Sequence, residues 1–168
     1  TSDNGGYLTY GKNFRNISSN GHLRGQKSQL YEGGHRVPFV AFWPGKIPTG
    51  ITGATAHSTD LFPTFASLAS ADTALMNLDG VSLLPLLQNG IPLPDRSLFW
   101  RTGRDRAVRD GKWKLCVTGK NTRLYNLSTD IAEQTNLADQ FPQRVEKLSA
   151  AWRHWEVDVN RSAKRFEP

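Results

Sequence analysis

An adjacent carboxylate and carboxamide stand near the start of the chain, in Asp3-Asn4-Gly5-Gly6. Their side-chain oxygens are hard ligands that suit calcium or magnesium, and the glycines let the backbone approach an ion or anion closely. The same residue types also form ordinary turns that bind no metal. On its own, the motif leaves a metal site and a metal-free turn both open.

More polar side chains follow in the next part of the chain. Lys27 could contact an anion, although a lone lysine is more often a solvated loop residue. Glu32 and Arg36 are within reach of one another, and we expect an ion pair that fixes the loop. His22 and His35 could touch a substrate, but no paired acid or nucleophile is visible nearby, which favours surface or structural histidines.

The elements that would position these residues begin with an apolar run. Val37–Trp43 predicts a strand buried on both faces, as in a parallel sheet flanked by helices. Residues 5–34 would then form a long loop, and such loops are usually functional or disordered. Helical spacing of apolar side chains predicts a helix over 60–69 and a short helical turn around Pro85.

The second half of the chain predicts a small antiparallel sheet. Four short alternating runs follow Arg96, and Asp110-Gly111 is a strong hairpin signal between the second and third runs. Lys112 and Lys114 alternate with apolar residues, so we expect one basic, hydrated face and one packed face. An amphipathic helix over 142–157 is expected to cover the packed face.

Composition and charge limit the function classes. The chain has 168 residues and 38% hydrophobic residues, which is typical of a globular protein, and no apolar run is long enough to span a membrane. The net charge of +6 is concentrated between Arg96 and Arg123. A hydrated β face, an acidic glycan or other polyanion, and nucleic acid each fit this charge; nucleic acid is least favoured because no nucleic-acid-binding motif accompanies it.

The single cysteine, Cys116, excludes internal disulfides and a zinc site built from several thiolates. Its alternating context predicts a buried strand thiol rather than a nucleophile.

A series of motifs resembles the formylglycine-dependent sulfatases, the arylsulfatase and N-acetylgalactosamine-6-sulfatase group. The matching motifs are Thr1-Ser2-Asp3-Asn4-Gly5, Gly25-x-Lys27, Glu32-Gly33-Gly34-x-Arg36-Val37-Pro38, Trp43-Pro44-Gly45, Asp60-Leu61-x-Pro63-Thr64, Asp79-Gly80-Val81-Ser82-Leu83-Leu84 and Leu124-Tyr125-Asn126-Leu127. Their order and spacing make the likeness specific, and it extends from Thr1 to about Trp155.

The resemblance implies the C-terminal part of an alkaline-phosphatase-like α/β fold. Residues 1–90 would belong to the catalytic domain, and residues 91–168 would form the small antiparallel subdomain with its C-terminal helix. By similarity, Asp3 and Asn4 would be two calcium ligands, and Lys27 would contact the sulfate and help to stabilise or protonate the leaving oxygen. A divalent cation and an ammonium both neutralise charge that grows on a sulfuryl group.

The chain departs from the family in the catalytic residues that it lacks, among them further Lys and His residues of the family's site. It lacks the nucleophile motif, Cys or Ser-x-Pro-Ser-Arg, and the N-terminal Asp pair; Cys116 is followed by Val117-Thr118-Gly119 and cannot be that nucleophile. We therefore expect a sulfuric ester hydrolase fragment, inactive alone, whose formylglycine and remaining calcium ligands lie in an absent N-terminal half. Apolar faces that this half would cover predict self-association. The family implies an aryl or sugar sulfate ester as substrate and a periplasmic, secreted or lysosomal location.

Two alternatives stay open. One is a phospho- or phosphonate-ester hydrolase of the same superfamily. The other is a non-catalytic module whose basic β face, with Arg104, Arg106, Lys112 and Lys114, binds a sulfated or otherwise acidic glycan.

Overall fold

The computed structural model describes residues 1–9 and 18–163. The chain divides into two compact units, one built from Thr1–Phe39 together with Arg96 and the residues after it, the other from Val40–Asp95. Among the described residues, no helix has the length and hydrophobicity of a membrane span. Part of the loop predicted over 5–34, residues 10–17, lies outside the described residues.

An antiparallel sheet of four strands in sequential order forms the centre of the first unit. The strands are β1 (Ser97–Thr102), β2 (Asp105–Asp110), β3 (Trp113–Thr118) and β4 (Asn121–Asn126), as the alternating runs predict. Each connecting turn begins with a glycine at positive φ, at Gly103, Gly111 and Gly119. Asp110 pairs with Trp113, so the second turn is Gly111-Lys112, one residue later than predicted.

The helices of the described residues are α1 (Glu32–His35), α2 (Leu61–Leu68), α3 (Leu84–Asn89) and α4 (Pro142–Ala163). The predicted helix over 60–69 is confirmed as α2, which a 3-10 turn at Ser58–Asp60 precedes. The predicted turn around Pro85 is α3, closed by Gly90 in the left-handed conformation. The predicted amphipathic helix is α4, which continues beyond Val157 to Ala163.

Both faces of the sheet are covered. The first face carries Val108, Leu115, Val117 and Leu124, which pack against Leu148 and Trp152 of α4. The second face carries Ala107, Cys116 and Tyr125, which pack with Leu30 and Leu127.

The predicted hydrated, basic face is wrong at Lys114. Successive residues of a strand point to opposite faces, so Lys114 shares the second face with Cys116, and its side chain is fully buried. Leu30, before α1, and Leu127, after β4, belong to the chain segments that cover this face. Lys114 is therefore not available to bind a polyanion, which weakens the proposed glycan-binding face.

Two of the sequence motifs, those that begin at Asp60 and Asp79, contact each other in the second unit. The Asp60 carboxylate accepts hydrogen bonds from the His57 N–H at 2.7 Å and the Val81 N–H at 3.0 Å. The Thr64 hydroxyl oxygen accepts from the Leu83 N–H at 2.8 Å and the hydroxyl donates to the Asp60 carbonyl at 2.6 Å. Buried side chains of the Asp60 motif thus hold the backbone that leads into α3.

The segment Val37–Trp43 is not a strand. Val40 is 81% exposed and Phe42 is 86% exposed. A strand buried on both faces needs neighbouring strands, and the sheet of the described residues contains only β1 to β4. The prediction from hydrophobicity is therefore wrong for this structure, and the segment presents apolar surface.

Candidate active site

A cavity of about 500 Å³ in the first unit brings three of the predicted site residues together. Asp3, Asn4 and Lys27 all line it. Arg36 lines it too, and so does Asn20. The cavity therefore combines a carboxylate, two amide side chains and two cationic groups, a set that suits a hard cation and an oxyanion side by side.

Hydrogen bonds bring Lys27 next to the Asp3-Asn4 segment. The Lys27 N–H donates to the Gly6 carbonyl at 3.1 Å. The Asn20 side chain joins the same two segments, since its Oδ1 accepts from the Gly6 N–H at 2.8 Å and its Nδ2 donates to the Gly25 carbonyl at 3.0 Å. These contacts bridge a long separation in sequence, which residue spacing alone does not predict.

Glycines at positions 5 and 33 let two neighbouring backbone segments pack directly on α1. The Gly5 N–H donates to the Gly34 carbonyl at 2.9 Å, and a Cβ on Gly5 would overlap the Gly33 carbonyl. A Cβ on Gly33 would lie 2.5 Å from the Gly25 oxygen and 2.6 Å from the Arg24 oxygen. Gly5 therefore lets the backbone directly after Asp3-Asn4 pack on α1, and Gly33 lets the Arg24-Gly25 backbone do the same.

Asp3 and Asn4 fit part of a calcium site. Calcium takes about 6–8 oxygen ligands. In residues 1–9 and 18–163, no group of three or more His, Cys, Asp or Glu side chains could hold a metal ion. Asp3 and Asn4 could supply a share of the ligands, and further carboxylates would have to come from outside the described residues.

A buried ionic cluster lies on the second face of the sheet. The Lys114 Nζ lies 2.8 Å from the Glu32 Oε1 and 2.9 Å from the Glu133 Oε1, and the three side chains are at most 1% exposed. The Glu133 Oε2 accepts from the Glu32 N–H at 2.6 Å. The Glu32 Oε2 also lies 3.3 Å from the Arg36 guanidinium and 3.6 Å from that of Arg109. The ion pair predicted between Glu32 and Arg36 is thus present.

The two buried carboxylates of this cluster differ in their pKa. Burial raises the pKa of Glu32, but attraction to Lys114, with contributions from His35 and Arg109, brings the net pKa below its usual value. For Glu133, the effect of burial is larger than that of attraction to Lys114, so its pKa is raised. The net effect of burial and of Lys114 on the pKa is therefore opposite for the two carboxyl groups.

The two histidines are not among the described residues that line the cavity. The His35 ring stacks on Trp100 with centroids 4.4 Å apart, and its Nε2 lies 3.1 Å from the Lys114 Nζ. Burial, followed by repulsion from Lys114, lowers the pKa of His35 to about 4, so the ring is neutral at neutral pH. His22 is exposed. This placement favours a structural role for His35.

Cys116 is a core residue, as predicted. It is 1% exposed, and burial raises the pKa of its thiol to about 12. Such a thiol is not a nucleophile at neutral pH.

Sequence reasoning missed Lys114, Glu133 and Asn20. A signal for Lys114 does exist, since it stands directly before the apolar run Leu115-Cys116-Val117. Glu133 and Asn20 lie in loops, and their sequence context carries no comparable signal.

Comparison with known proteins identifies the family. The Sulfatase family model matches residues 1–71. Human arylsulfatase A is 45% identical over 100 residues, which cover 56% of this chain and 20% of that protein. A sulfatase of Formosa agariphila is 30% identical over 186 residues, which cover 95% of this chain and 32% of that protein. The crystal structure of Ps i-CgsB in complex with k-i-k-neocarrahexaose has a TM-score of 0.80 at 28% identity, covering 91% of this chain and 34% of that chain.

The chain thus spans about a fifth to a third of the length of these relatives. Its small antiparallel sheet and C-terminal helix are found in sulfatases of the alkaline-phosphatase-like fold. The chain belongs to the sulfatase family and corresponds to a C-terminal portion of its members' sequence.

Proposed function

We propose that this chain supplies part of the active site of a sulfuric ester hydrolase. Asp3 and Asn4 would bind calcium, and Lys27 would bind the sulfate group. The observation that carries the proposal is the shared cavity, which unites these three side chains in a chain whose relatives are sulfatases. The formylglycine nucleophile and the other calcium ligands would come from a part of the enzyme outside this chain.

Lys27 would act on the leaving group. As the sulfur–oxygen bond of the ester breaks, negative charge grows on the bridging oxygen, and a nearby ammonium stabilises that charge or donates a proton to it. The hydrogen bond from the Lys27 N–H to the Gly6 carbonyl fixes the backbone from which this side chain extends into the cavity. Calcium, when bound, would act as a Lewis acid on the sulfate oxygens.

The substrate would be a sulfate ester of a sugar or an aryl compound. Ps i-CgsB is crystallised in complex with k-i-k-neocarrahexaose, and human arylsulfatase A is one of the relatives reported above. Both substrate classes carry the same sulfuryl group, so Asp3, Asn4 and Lys27 would serve either one.

The test uses Lys27→Ala in the complete enzyme that carries this chain, with nitrophenyl sulfate and sulfated oligosaccharides as substrates. Loss of one group that stabilises a developing anion lowers kcat by about a hundredfold or more. Lys46→Ala is the matched control, because Lys46 is exposed and lies in the second unit. Equal activities of the two variants would contradict the role of Lys27.

The role of Asp3 is tested by calcium titration of Asp3→Ala. We expect weaker calcium binding, since the variant loses a charged oxygen ligand. Sequencing of the reading frame upstream provides an independent check, because the proposal requires a Cys or Ser-x-Pro-Ser-Arg motif there. A frame without that motif would leave the proposed hydrolase without its nucleophile.

A further inference from the structure

The short helix α1 lies between the cavity and the buried ionic cluster. On the cavity side, the Gly34 carbonyl accepts a hydrogen bond from the N–H of Gly5, the residue that follows Asn4. Arg36, at the C-terminal end of α1, lines the cavity. Towards the sheet, the Glu32 carboxylate is held by Lys114. One four-residue helix therefore connects the candidate site to the interior of the fold.

α1 depends on tertiary contacts for its position. A helix of one turn is unstable in isolation, because nucleation is costly. Its N-cap residue, Tyr31, makes no side-chain capping hydrogen bond. The first amide, that of Glu32, instead donates to the carboxylate of Glu133, and the Gly33 N–H donates to the Arg24 carbonyl at 2.7 Å.

Lys114 links the residues that make these contacts. Its ammonium has three N–H donors and three partners within hydrogen-bond distance, Glu32 at 2.8 Å, Glu133 at 2.9 Å and His35 at 3.1 Å. The His35 Nε2 accepts from Lys114 in the tautomer protonated at Nδ1, and in the other tautomer it donates to the Leu30 carbonyl at 3.2 Å. The lysine therefore contacts both ends of α1 and the carboxylate that caps it.

We infer that Lys114, acting with Glu133, is a positioning residue for the anion-binding cavity. Without the ammonium, Glu32 would keep Arg36 and Arg109 as its cationic neighbours among the described residues. The Glu32 carboxylate would then draw Arg36 away from the cavity wall. α1 would shift, and with it the carbonyl that holds the Asp3-Asn4 segment. This role rests on the proposed function, because it is measured as sulfate binding at the cavity.

The experiment compares Lys114→Met with Lys114→Arg in the complete enzyme. The measurements are the inhibition constant of inorganic sulfate, KM and kcat, on protein whose folded fraction has been determined by circular dichroism. At metal sites, loss of a residue that orients a ligand costs about tenfold or more. By analogy, we expect sulfate inhibition to weaken and KM to rise by about tenfold in Lys114→Met. Lys114→Arg keeps the charge and should recover part of this loss.

The readout separates positioning from simple destabilisation. A smaller folded fraction lowers the apparent kcat and leaves KM and the inhibition constant unchanged. Lys147→Met is the matched control, since Lys147 is 66% exposed and pairs with Asp110 at the surface. Unchanged KM and sulfate inhibition in folded Lys114→Met would overturn the inference.

A second variant covers the case in which Lys114→Met does not fold. Glu133→Ala removes the acceptor of the Glu32 N–H and leaves the pair between Lys114 and Glu32 in place. We expect weaker sulfate inhibition here too, and an unchanged constant would overturn the inference.

Lys27→Ala, measured in parallel, distinguishes this inference from the proposed function. If Lys27→Ala leaves sulfate inhibition unchanged, the proposed function fails. If Lys27→Ala weakens inhibition and the Lys114 and Glu133 variants do not, only the positioning role fails.

Discussion

Removal of the Lys114 ammonium should destabilise the fold far more than removal of a surface lysine. Lys114→Met leaves the buried carboxylates of Glu32 and Glu133 without the cation that now lies 2.8 and 2.9 Å away. Loss of one partner of a buried ion pair costs about 3–5 kcal/mol. We expect about 3 kcal/mol, the lower end, because Glu32 keeps Arg36 and Arg109 nearby and Glu133, whose pKa is raised, can take up a proton.

Urea unfolding, followed by tryptophan fluorescence and circular dichroism, measures this loss in the free energy of unfolding, provided that the variants share one m value. Lys147→Met is the control, because it makes the same substitution at a side chain that is 66% exposed. The surface pair of Lys147 with Asp110 contributes about 0–1 kcal/mol to the free energy of unfolding. The two variants should therefore differ by at least about 2 kcal/mol.

A double-mutant cycle identifies the source of the loss. Glu32→Gln combined with Lys114→Met removes both members of the closest pair, so the double variant should lose less stability than the two single losses added together. A Lys114→Met variant that is no less stable than Lys147→Met would refute the reasoning. So would an additive cycle, because it would mean that Lys114 and Glu32 do not interact.

Two further predictions concern the packing and the titration of α1. Gly33→Ala should cost about 1–3 kcal/mol, because its Cβ would lie 2.5 Å from the Gly25 oxygen. Gly53→Ala, whose Cβ would meet nothing within 4 Å, is the control, and equal urea midpoints would contradict the close approach. His35 has a pKa of about 4 in the folded protein against 6.5 when free, so the unfolded chain binds more protons between these values, and stability should fall as the pH falls from 6.5 to about 4. His35→Gln should have a shallower pH dependence of unfolding in this window, and an identical slope would count against the buried, neutral ring.

Local sequence signals predicted the sheet and the helices well. Strands β1 to β4 are specified by alternating side chains and by a glycine after each of the first three strands. Each of these signals is contained in a few consecutive residues. The amphipathic spacing of Leu148 and Trp152 likewise predicts a helix with one packed face, and both residues are buried. Such elements are determined by neighbours in sequence, which explains the success.

The errors occurred where distant residues decide the outcome. Lys114 was expected at a hydrated surface, but two carboxylates from other segments make its burial possible. Val37–Trp43 was expected in a buried strand, but no strand of the described residues pairs with it. Self-association through such exposed apolar surface stays a prediction, which light scattering can test.

The candidate site could be predicted only in part from the sequence. The types of Asp3, Asn4 and Lys27 indicated cation and anion binding, but only the family resemblance suggested that they act together. The structure adds a physical link, the hydrogen bond from the Lys27 N–H to the Gly6 carbonyl, and all three residues line one cavity.

The Glu32-Gly33-Gly34 motif illustrates how a recognisable family motif can act without chemistry of its own. Glu32 is fully buried, and its carboxylate lies 2.8 Å from the Lys114 Nζ. Gly33 and Gly34 have no side chains to react, and their backbone packs too closely on neighbouring carbonyls to admit a Cβ. Packing or burial therefore accounts for the residue type at each position of the motif. Under the proposed function, the motif supports the segment that carries Asp3, and we expect substitutions in it to disturb binding at the cavity through geometry and not through the loss of a reacting group.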